Sequence, residues 1–287
     1  MSLVKATRRA VIRVLDRPAG RGLLGALATA YARRYEPGAR IFHHPGTWVR
    51  QLGDDFCIDG PTFPYYTEQL QSFGRPFREV HNFADEYWFA QYQPRPGDVV
   101  LDVGAAWGRT TLPLSRRVGT GGTVLAIEAH PRSFALLQEC VTLNRMSNTI
   151  CVNRAVLADR GNVVIEDKED HAANRIDTDA SAHAGIRVPG DSLDAICGQH
   201  GIDTVDFMLM NIEGAERLAI QGMIGLTPKL HSACVFCHDF LADETGNEWY
   251  RTKRLVAGFL EDSGFEVTTW DADPRPYMRD CVTAVRR

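Results

Sequence analysis

The chain has 287 residues, of which 44% are hydrophobic, and a formal net charge of −4. This length is enough for one large α/β domain with an extension, and the small acidic charge gives no overall attraction to nucleic acid. No segment has the ~18 consecutive apolar residues of a membrane span, and seven cysteines without regular spacing favour a reduced, cytoplasmic protein over a disulfide framework.

The basic residues are concentrated at the N terminus. Before Arg40 only Asp16 and Glu36 oppose eight of them, namely Lys5, Arg8, Arg9, Arg13, Arg17, Arg21, Arg33 and Arg34. The run GLLGALATAYA, from Gly22 to Ala32, predicts a helix between these arginines. Such a helix packs on the main domain, or contacts a membrane surface, an anionic glycolipid or a partner chain. The next stretch is rich in aromatic residues, glycine and proline, which is typical of short strands and turns.

Further along the chain, apolar runs alternate regularly with segments of helical periodicity. The predicted strands are DVVLDVG, TVLAIEA, NTICVNRAV, TVDFMLMNI and SACVFCHDF, each followed by a helical segment. Strands that alternate with helices form a mainly parallel sheet covered on both faces. The last two strands, FEVTTWD and CVTAVRR, are separated only by ADPRPYMRD, so we expect them to form an antiparallel hairpin at one edge.

Cys234 and Cys237 form the one CxxC pair of the chain. A single pair without nearby histidine partners is weak evidence for zinc. Strand positions three residues apart point to opposite faces of a sheet. The pair is therefore predicted to be two buried core cysteines.

A glycine-rich turn follows the first predicted strand of the alternating region. It contains Asp102, Gly104, Ala106 and Gly108, and the next strand ends about twenty residues later at Glu128. Small residues allow a backbone to approach a ligand closely, and an acid at that spacing accepts hydrogen bonds from ribose hydroxyls. The pattern fits either a nicotinamide dinucleotide or S-adenosylmethionine. An acid two residues before the first glycine suits the cationic amino-acid end of S-adenosylmethionine better than the pyrophosphate of a dinucleotide. The antiparallel last strand also favours S-adenosylmethionine.

Several stretches in fixed order resemble the FkbM-type S-adenosylmethionine-dependent O-methyltransferases. They are PGDVVLDVGAAWGRTTLPLSRRVGTGGTVLAIEAHP, LLQECVTLN, NRAVLADRG, DSLDAI and DFMLMNIEGAERLAIQGM, between about Pro96 and Met223. The resemblance implies a Rossmann-like class I methyltransferase fold, whose seven-stranded, mostly parallel sheet ends in an antiparallel hairpin strand. It implies S-adenosylmethionine as the methyl donor and a hydroxyl of a sugar, glycan or other natural product as the acceptor.

The resemblance also implies roles for individual residues and a division of the chain. It places Glu128 on the ribose, Ala155 and Val156 beside the adenine, Glu86 in further contact with the cofactor, and Asp102, Gly104, Ala105 and Gly108 around the methionine part. Residues 85–287 would form the methyltransferase domain. Residues 1–84 would form a helical and irregular extension that helps to bind the acceptor, dimerise or approach a membrane.

Two positions depart from the family pattern. Asn211 stands where such families have an aspartate, in a motif of the form D-V-E-G-A-E, so any role that needs this charge is in doubt. The strand SACVFCHDF ends in His238 and Asp239, where a glutamate is more usual.

Four polar residues, Asn211, Glu213, His238 and Asp239, leave the ends of two neighbouring predicted strands and should converge on the methyl-transfer pocket. An alcohol is a poor nucleophile unless its proton is removed or a metal binds its oxygen. We expect His238 to be the general base, oriented by Asp239 or Glu213, with Asn211 positioning the acceptor or the cofactor. In the metal-assisted alternative, Glu213, His238 and Asp239 bind Mg²⁺ or another divalent ion. Glu216 is expected to stabilise the helix that it begins, because its negative charge interacts favourably with the N-terminal end of the helix dipole.

Two other classes of function stay open at the level of sequence. One is a nicotinamide-dependent oxidoreductase, and the other is a non-catalytic module that keeps the cofactor fold. The partners expected are a small-molecule or glycan acceptor and a second copy of the chain in a homodimer, with no nucleic acid.

Overall fold

The computed structural model describes residues 11–64, 70–71, 87–167, 175–176 and 185–287. Its central feature is a seven-stranded sheet in the order β12-β13-β11-β10-β4-β5-β6. The strands are β4 (Val99–Val103), β5 (Thr123–Ile127), β6 (Thr149–Val152), β10 (Val205–Asn211), β11 (Leu230–Phe236), β12 (Glu266–Thr269) and β13 (Cys281–Val285). Neighbouring strands are parallel except at β13, which runs antiparallel to both β11 and β12. The predicted sheet, including its C-terminal hairpin, is therefore confirmed.

Helices connect the strands of this sheet. They are α2 (Thr111–Val118), α3 (Pro131–Leu143), α4 (Leu193–Gln199), α5 (Glu216–Gln221), α6 (Asp239–Thr245), α7 (Lys253–Asp262) and the short α8 (Pro276–Arg279), while α1 (Arg21–Ala32) precedes them all. Single 3₁₀ turns cover Thr227–Lys229 and Glu248–Tyr250. Ser192 caps the N terminus of α4 by accepting a hydrogen bond from the backbone N–H of Ala195 at 3.1 Å.

Both faces of the sheet are buried, which explains why its central strands are continuously apolar. Along β10, Met208 and Met210 pack on one face, whereas Phe207 and Leu209 pack on the other. Cys234 and Cys237 belong to opposite faces as well, and the Cys234 sulfur lies 3.5 Å from that of Cys281. The CxxC pair is thus part of the core, as predicted.

A second, smaller sheet covers one end of the main sheet. It consists of β7 (Ala155–Val156), β9 (Gly185–Asp191) and β8 (Gly161–Glu166), with β9 in the centre. The sequence pattern predicts β6 and β7 as one strand, because β7 is only two residues long and continues the apolar run of β6. Ala155, Ile165 and Val188 form the buried face of this sheet.

The N-terminal region forms a third sheet, an antiparallel meander of β1 (Ala39–His44), β2 (Thr47–Leu52) and β3 (Asp55–Ile58). Helix α1 packs on it through Leu24, Ala28 and Ala32. On the other side, Val49 and Ile58 share an apolar cluster with Leu112, Cys140 and Met146, residues that belong to α2, α3 and the turn after α3. The strands and turns predicted here are confirmed, and this sheet lies against the main domain.

Among the residues described, no helix is both long and apolar enough to cross a bilayer.

Candidate functional site

A cleft opens at the carboxyl ends of β4, β5 and β10. This is the switch point of the sheet, because the chain proceeds outward from β4 through β5 to β6 and then returns to β10 on the other side of β4. Ligands of open α/β sheets bind at such points. The cleft is lined by Gly104, Glu128, Ala155, Val156, Asn211 and Glu213, all of them predicted site residues, and also by Val103, Ala106, Ile127, Ala129, His130, Arg154, Ile165, Ile176, Ile212 and Ala215.

The turn after β4 is held tightly against the ends of its neighbours. The backbone N–H groups of Gly104 and Ala105 both donate to the carbonyl of Ile127, at 2.9 and 3.0 Å. Gly104 has a φ of +87°, and a Cβ placed there would lie 1.9 Å from the carbonyl oxygen of Asn211. Only glycine permits this approach, so Gly104 brings the ends of β4 and β10 together at the floor of the cleft.

Asp102 supports this turn from behind and does not line the cleft. Its buried carboxylate accepts hydrogen bonds from the hydroxyls of Thr110 and Thr111, the latter at 2.6 Å. Burial raises the pKa of Asp102 to about 6, although the two hydroxyls oppose this shift. Ala105 and Gly108 also lie behind the turn, where Ala105 is buried with Leu137, and Gly108 meets Cys140. Asp102, Ala105 and Gly108, which were predicted to surround the methionine part, therefore support the turn from the side opposite the cleft.

Glu128 stands at the end of β5 with its carboxylate in the cleft wall. It accepts hydrogen bonds from the backbone N–H groups of Ala106 at 2.9 Å and His130 at 2.8 Å. Burial raises the pKa of Glu128 to about 7, while these two hydrogen bonds act in the opposite direction. The Asn153 amide fixes the same corner by donating to the carbonyls of Glu128 and Ala129.

The apolar side of the cleft comes from the small sheet. Ala155 and Val156 are buried in β7, and Ile165 of β8 and Ile176 face the same space. The predicted pair Ala155 and Val156 thus occupies the cleft, beside two isoleucines that sequence analysis did not identify. Glu86, the remaining predicted contact, lies outside the described residues.

His238 is buried between two carboxylates just beyond β11. Its Nδ1 lies 2.9 Å from Oε1 of Glu216, and its Nε2 lies 3.6 Å from Oε1 of Glu213. Burial by itself lowers the pKa of His238, but the charge of Glu216 and the bonds to both glutamates raise it to about 10. The imidazole is therefore a cation at neutral pH.

Glu216 is the fully buried member of this network. Its carboxylate binds His238, accepts a hydrogen bond from the Thr252 hydroxyl at 2.9 Å, and accepts a third from the backbone N–H of Gly214 at 3.1 Å. Burial works to raise its pKa, yet the charge and hydrogen bond of His238 lower the pKa below its ordinary value. A buried ion pair with further hydrogen bonds is costly to break from one side only. Glu216 thus anchors His238, a role beyond the helix-dipole effect expected from sequence.

Glu213 lies at a turn between β10 and α5 and faces the cleft. It adopts a φ of +55°, which is unfavourable for a residue other than glycine, and Gly214 follows at +98°. The ring of Tyr250 packs so closely on this turn that a Cβ at residue 214 would lie 2.3 Å from it. The Glu213 side chain is 21% exposed, and the Asn211 side chain is exposed at the end of β10. These two polar groups face the cleft as predicted.

Asp239 does not bind His238, although it was one of the two residues, with Glu213, that were expected to orient this histidine. Its Oδ1 accepts hydrogen bonds from the backbone N–H groups of Thr252 at 2.8 Å and Lys253 at 2.9 Å, at the start of α7. The carboxylate therefore caps a helix. Within the described part of the chain, no group of three or more His, Cys, Asp or Glu side chains has an arrangement suited to a metal ion.

Sequence analysis missed three functional neighbours of the site: Glu216 as the partner of His238, Thr252, and His130. His130 precedes the proline that begins α3, and its Nε2 lies 3.3 Å from Asp167 at the end of β8. His130 follows the predicted site residue Glu128 by two positions, and this nearness to a strand end was a usable signal for a residue at the cleft. For Thr252, 36 residues from Glu216 along the chain, no local signal exists.

The family model described as the methyltransferase FkbM domain matches residues 102–252, which is more than half of the 287 residues. No curated protein sequence matches the chain.

Many solved structures are similar in fold. The FkbM methyltransferase of Methylobacillus flagellatus is 14% identical with a TM-score of 0.50, and the match covers 77% of this chain and 55% of that protein. An S-adenosylmethionine-dependent methyltransferase from Aquifex aeolicus is 16% identical with a TM-score of 0.40, over 73% of this chain and 96% of that one. Fibrillarin from Aeropyrum pernix is 17% identical with a TM-score of 0.43, over 85% and 97%. At these identities the likeness concerns the fold alone.

Proposed function

Because this chain belongs to the FkbM family of S-adenosylmethionine-dependent class I methyltransferases, we propose that it methylates a hydroxyl oxygen of a sugar, glycan or other natural product. Membership of this family excludes the alternative of a nicotinamide-dependent oxidoreductase. A dinucleotide would need a Gly-x-Gly-x-x-Gly turn for its pyrophosphate, and the turn that begins at Gly104 has alanine at its third position.

The cleft has the groups that S-adenosylmethionine needs. Glu128 keeps carboxylate lone pairs for the ribose hydroxyls after binding its two backbone N–H groups. Ala155 and Val156 offer an apolar wall for the adenine, and Gly104 with the Asn211 amide would hold the methionine part. When bound, the cofactor supplies an electrophilic methyl group on sulfur.

Glu213 is the group that we assign to take the proton of the acceptor hydroxyl. General-base help of this kind contributes roughly 10²–10⁴-fold in rate. Sequence analysis predicted His238 for this task, and the two residues are adjacent at 3.6 Å. Because two carboxylates keep the imidazole protonated, the partly exposed Glu213 receives the proton, and His238 serves as a fixed cation beside it.

Glu216 and Thr252 hold this cation in place. Glu216 binds Nδ1 of His238 from a position without solvent access, and the Thr252 hydroxyl holds Glu216 by donating to its other carboxylate oxygen. This leaves Nε2 of His238 directed at Glu213. In this form Glu213, His238 and Glu216 act as one unit, and Asn211 positions the acceptor or the cofactor at the same strand end. Alignment of the reacting atoms by such fixed groups supplies up to roughly 7–11 kcal/mol of the barrier reduction.

The observation that carries the proposal is the position of Glu213. Its carboxylate lines the same cleft as Glu128, and it is paired from behind with a buried cation. A hydroxyl acceptor requires such a proton-accepting group, whereas transfer to a more nucleophilic atom does not require one.

The test follows tritium-labelled methyl from S-adenosylmethionine to a panel of monosaccharides and nucleotide sugars, with the product identified by NMR. We expect a methyl ether, and we expect Glu213→Gln to lower kcat by roughly 10²–10⁴-fold. Calorimetry with S-adenosylhomocysteine should give the same affinity for the variant as for the wild type. Glu244→Gln, at an exposed position on α6, is the matched control and should change neither quantity.

Three results would contradict the proposal. Methyl found on carbon or nitrogen would exclude the O-methyl assignment, and full turnover in Glu213→Gln would exclude this residue as proton acceptor. Activity that disappears with EDTA and returns with Mg²⁺ would establish the metal-assisted alternative. Tight cofactor binding without transfer to any acceptor would indicate a non-catalytic module.

A further inference from the structure

Helix α1 has an apolar outer face. Its residues from Gly22 to Ala32 include no charged side chain, although a surface helix normally carries charges on its outer face. The inner face, with Leu24, Gly25, Ala28 and Ala32, is buried against the N-terminal sheet. The outer face, defined here as Gly22, Leu23, Ala26, Leu27 and Ala30, is exposed to solvent.

The orientation of this helix is fixed by specific bonds, so its outer face cannot simply rotate inward. The Thr29 hydroxyl donates to the carbonyl of Ile41 and accepts from its N–H, at 3.0 and 2.8 Å. Arg33 donates to the carbonyl of Ala39, and Asp16 joins Arg21 to the indole N–H of Trp48. Gly25 allows the close contact, since a Cβ there would lie 3.0 Å from the carbonyl of Ile41.

Exposed apolar side chains of the described residues concentrate in this region. Of eight large ones, five lie between residues 11 and 35, namely Val11, Val14, Leu23, Leu27 and Tyr35. Leu23 and Leu27 are 56% and 54% exposed, and their spacing of four residues puts them side by side on the helix. Apolar side chains gathered in this way mark a surface that contacts something apolar.

The charge near the outer face is positive. Residues 11–36, the described part of this region, include five basic and two acidic side chains, a net charge of +3. Arg13, Arg17 and Arg34 are exposed, and no carboxylate among the described residues forms an ion pair with them. The surface therefore combines exposed leucines with unneutralised arginines.

We infer that the outer face of α1 and its neighbouring arginines bind the surface of an anionic lipid membrane. Leucines enter the boundary between headgroups and acyl chains, while the arginines contact anionic headgroups. A symmetric dimer through the same face would place two positively charged surfaces against each other, which like-charge repulsion disfavours. The inference is independent of the methyl acceptor proposed above.

The experiment is flotation of the full chain with vesicles of phosphatidylcholine alone or with phosphatidylserine added. We expect binding only to the anionic vesicles, and weaker binding as the salt concentration rises. Leu23→Glu together with Leu27→Glu should reduce the partition coefficient by at least about 100-fold. Arg13→Glu together with Arg17→Glu should reduce it by at least about 25-fold.

Matched controls have the same change of charge elsewhere on the surface. Ile224→Glu with Leu255→Glu alters two exposed apolar residues outside the N-terminal region, and Arg187→Glu with Arg254→Glu alters two exposed arginines. These variants should float like the wild type, and all variants should bind S-adenosylhomocysteine normally, which checks their folding.

The inference is overturned if the wild type binds no anionic vesicles, or if the controls lose binding as strongly as the Leu23 and Leu27 variant. It is also overturned if light scattering shows a dimer that this variant dissociates, because the face would then join two copies of the chain. Since the readout is lipid binding, its failure would leave the methyltransferase proposal untouched.

Discussion

Individual buried charges set the chemistry of this protein. Glu128 lines the cleft, and Asp102 supports the glycine-rich turn from behind. Burial raises the pKa of each carboxyl group towards neutrality. Glu216 shows the opposite outcome, because the cation of His238 outweighs burial and lowers its pKa. A buried carboxylate thus stays ionised where a cation is adjacent, and it titrates near neutral pH where only hydrogen-bond donors are available.

The raised pKa of Glu128 predicts a pH dependence of cofactor binding. Ribose hydroxyls donate to the ionised carboxylate, and the ionised fraction falls about tenfold for each unit below the pKa of about 7. Calorimetry should therefore find S-adenosylhomocysteine bound about tenfold more weakly at pH 6 than at pH 8.

The Glu128→Gln variant distinguishes titration of this carboxylate from a general loss of protein structure at low pH. Loss of the charged acceptor should weaken binding at pH 8 by roughly 10–150-fold and should remove the pH dependence. Glu261→Gln, at an exposed position of α7, should keep wild-type behaviour. An unchanged pH slope in Glu128→Gln would show that another group titrates.

At the scale of elements, the ends of β4 and β10 form the site by direct backbone contact. The strands themselves follow from local sequence, since apolar β-branched runs bounded by glycine predict them. Their close approach depends on Gly104, whose positive φ and missing side chain admit the carbonyl of Asn211. The same strand ends carry Asp102 behind the turn and Glu213 in the cleft.

Gly104→Ala tests this contact. A methyl group would overlap the Asn211 carbonyl and must push the two strand ends apart, at a cost of about 1–3 kcal/mol in the free energy of unfolding. Affinity for S-adenosylhomocysteine should fall at least about tenfold, because 1.4 kcal/mol corresponds to that factor. Gly121→Ala is the control, since it has no atom within 4 Å of its added Cβ and no positive φ. Equal melting temperatures and affinities for both variants would refute the contact as described.

At the scale of the whole molecule, a buried amide joins the N-terminal sheet to the main domain, together with ion pairs from Asp55 to Arg116 and from His44 to Glu139. Asn144, just after α3, accepts from the N–H of Phe56 at 2.9 Å and donates to its carbonyl at 2.8 Å. The apolar cluster of Val49, Ile58 and Cys140 surrounds this junction. We therefore propose that residues 1–84 and 85–287, although distinct in sequence character, unfold together.

Asn144→Ala should destabilise the entire chain. It leaves the N–H and C=O of Phe56 without partners, at about 1–3 kcal/mol each in the free energy of unfolding. Calorimetry should show a single transition at a lower temperature, with faster hydrogen exchange in β3. Asn162→Ala, at an exposed position of β8, should leave the transition unchanged. Two separate transitions would instead show that the extension unfolds by itself.

The sequence by itself determined the alternation of strands and helices, the antiparallel C-terminal hairpin and the cofactor side of the cleft. These features are local, because hydrophobic periodicity, a glycine turn and an acid at a strand end can each be recognised within a few dozen residues. Gly104 and Glu128 were identified in this way, Ala155 and Val156 were implied by the family resemblance, and all four line the cleft.

Only the tertiary structure decided the partners of the buried charges. His238 binds Glu216, 22 residues earlier, while Asp239, its neighbour in sequence, caps α7 through the N–H groups of Thr252 and Lys253. The physical reason is that a side chain at a strand exit can turn towards several elements, and burial and packing select one of them. The strand-helix pattern therefore brings the polar residues to one edge of the sheet, and long-range contacts assign each its role.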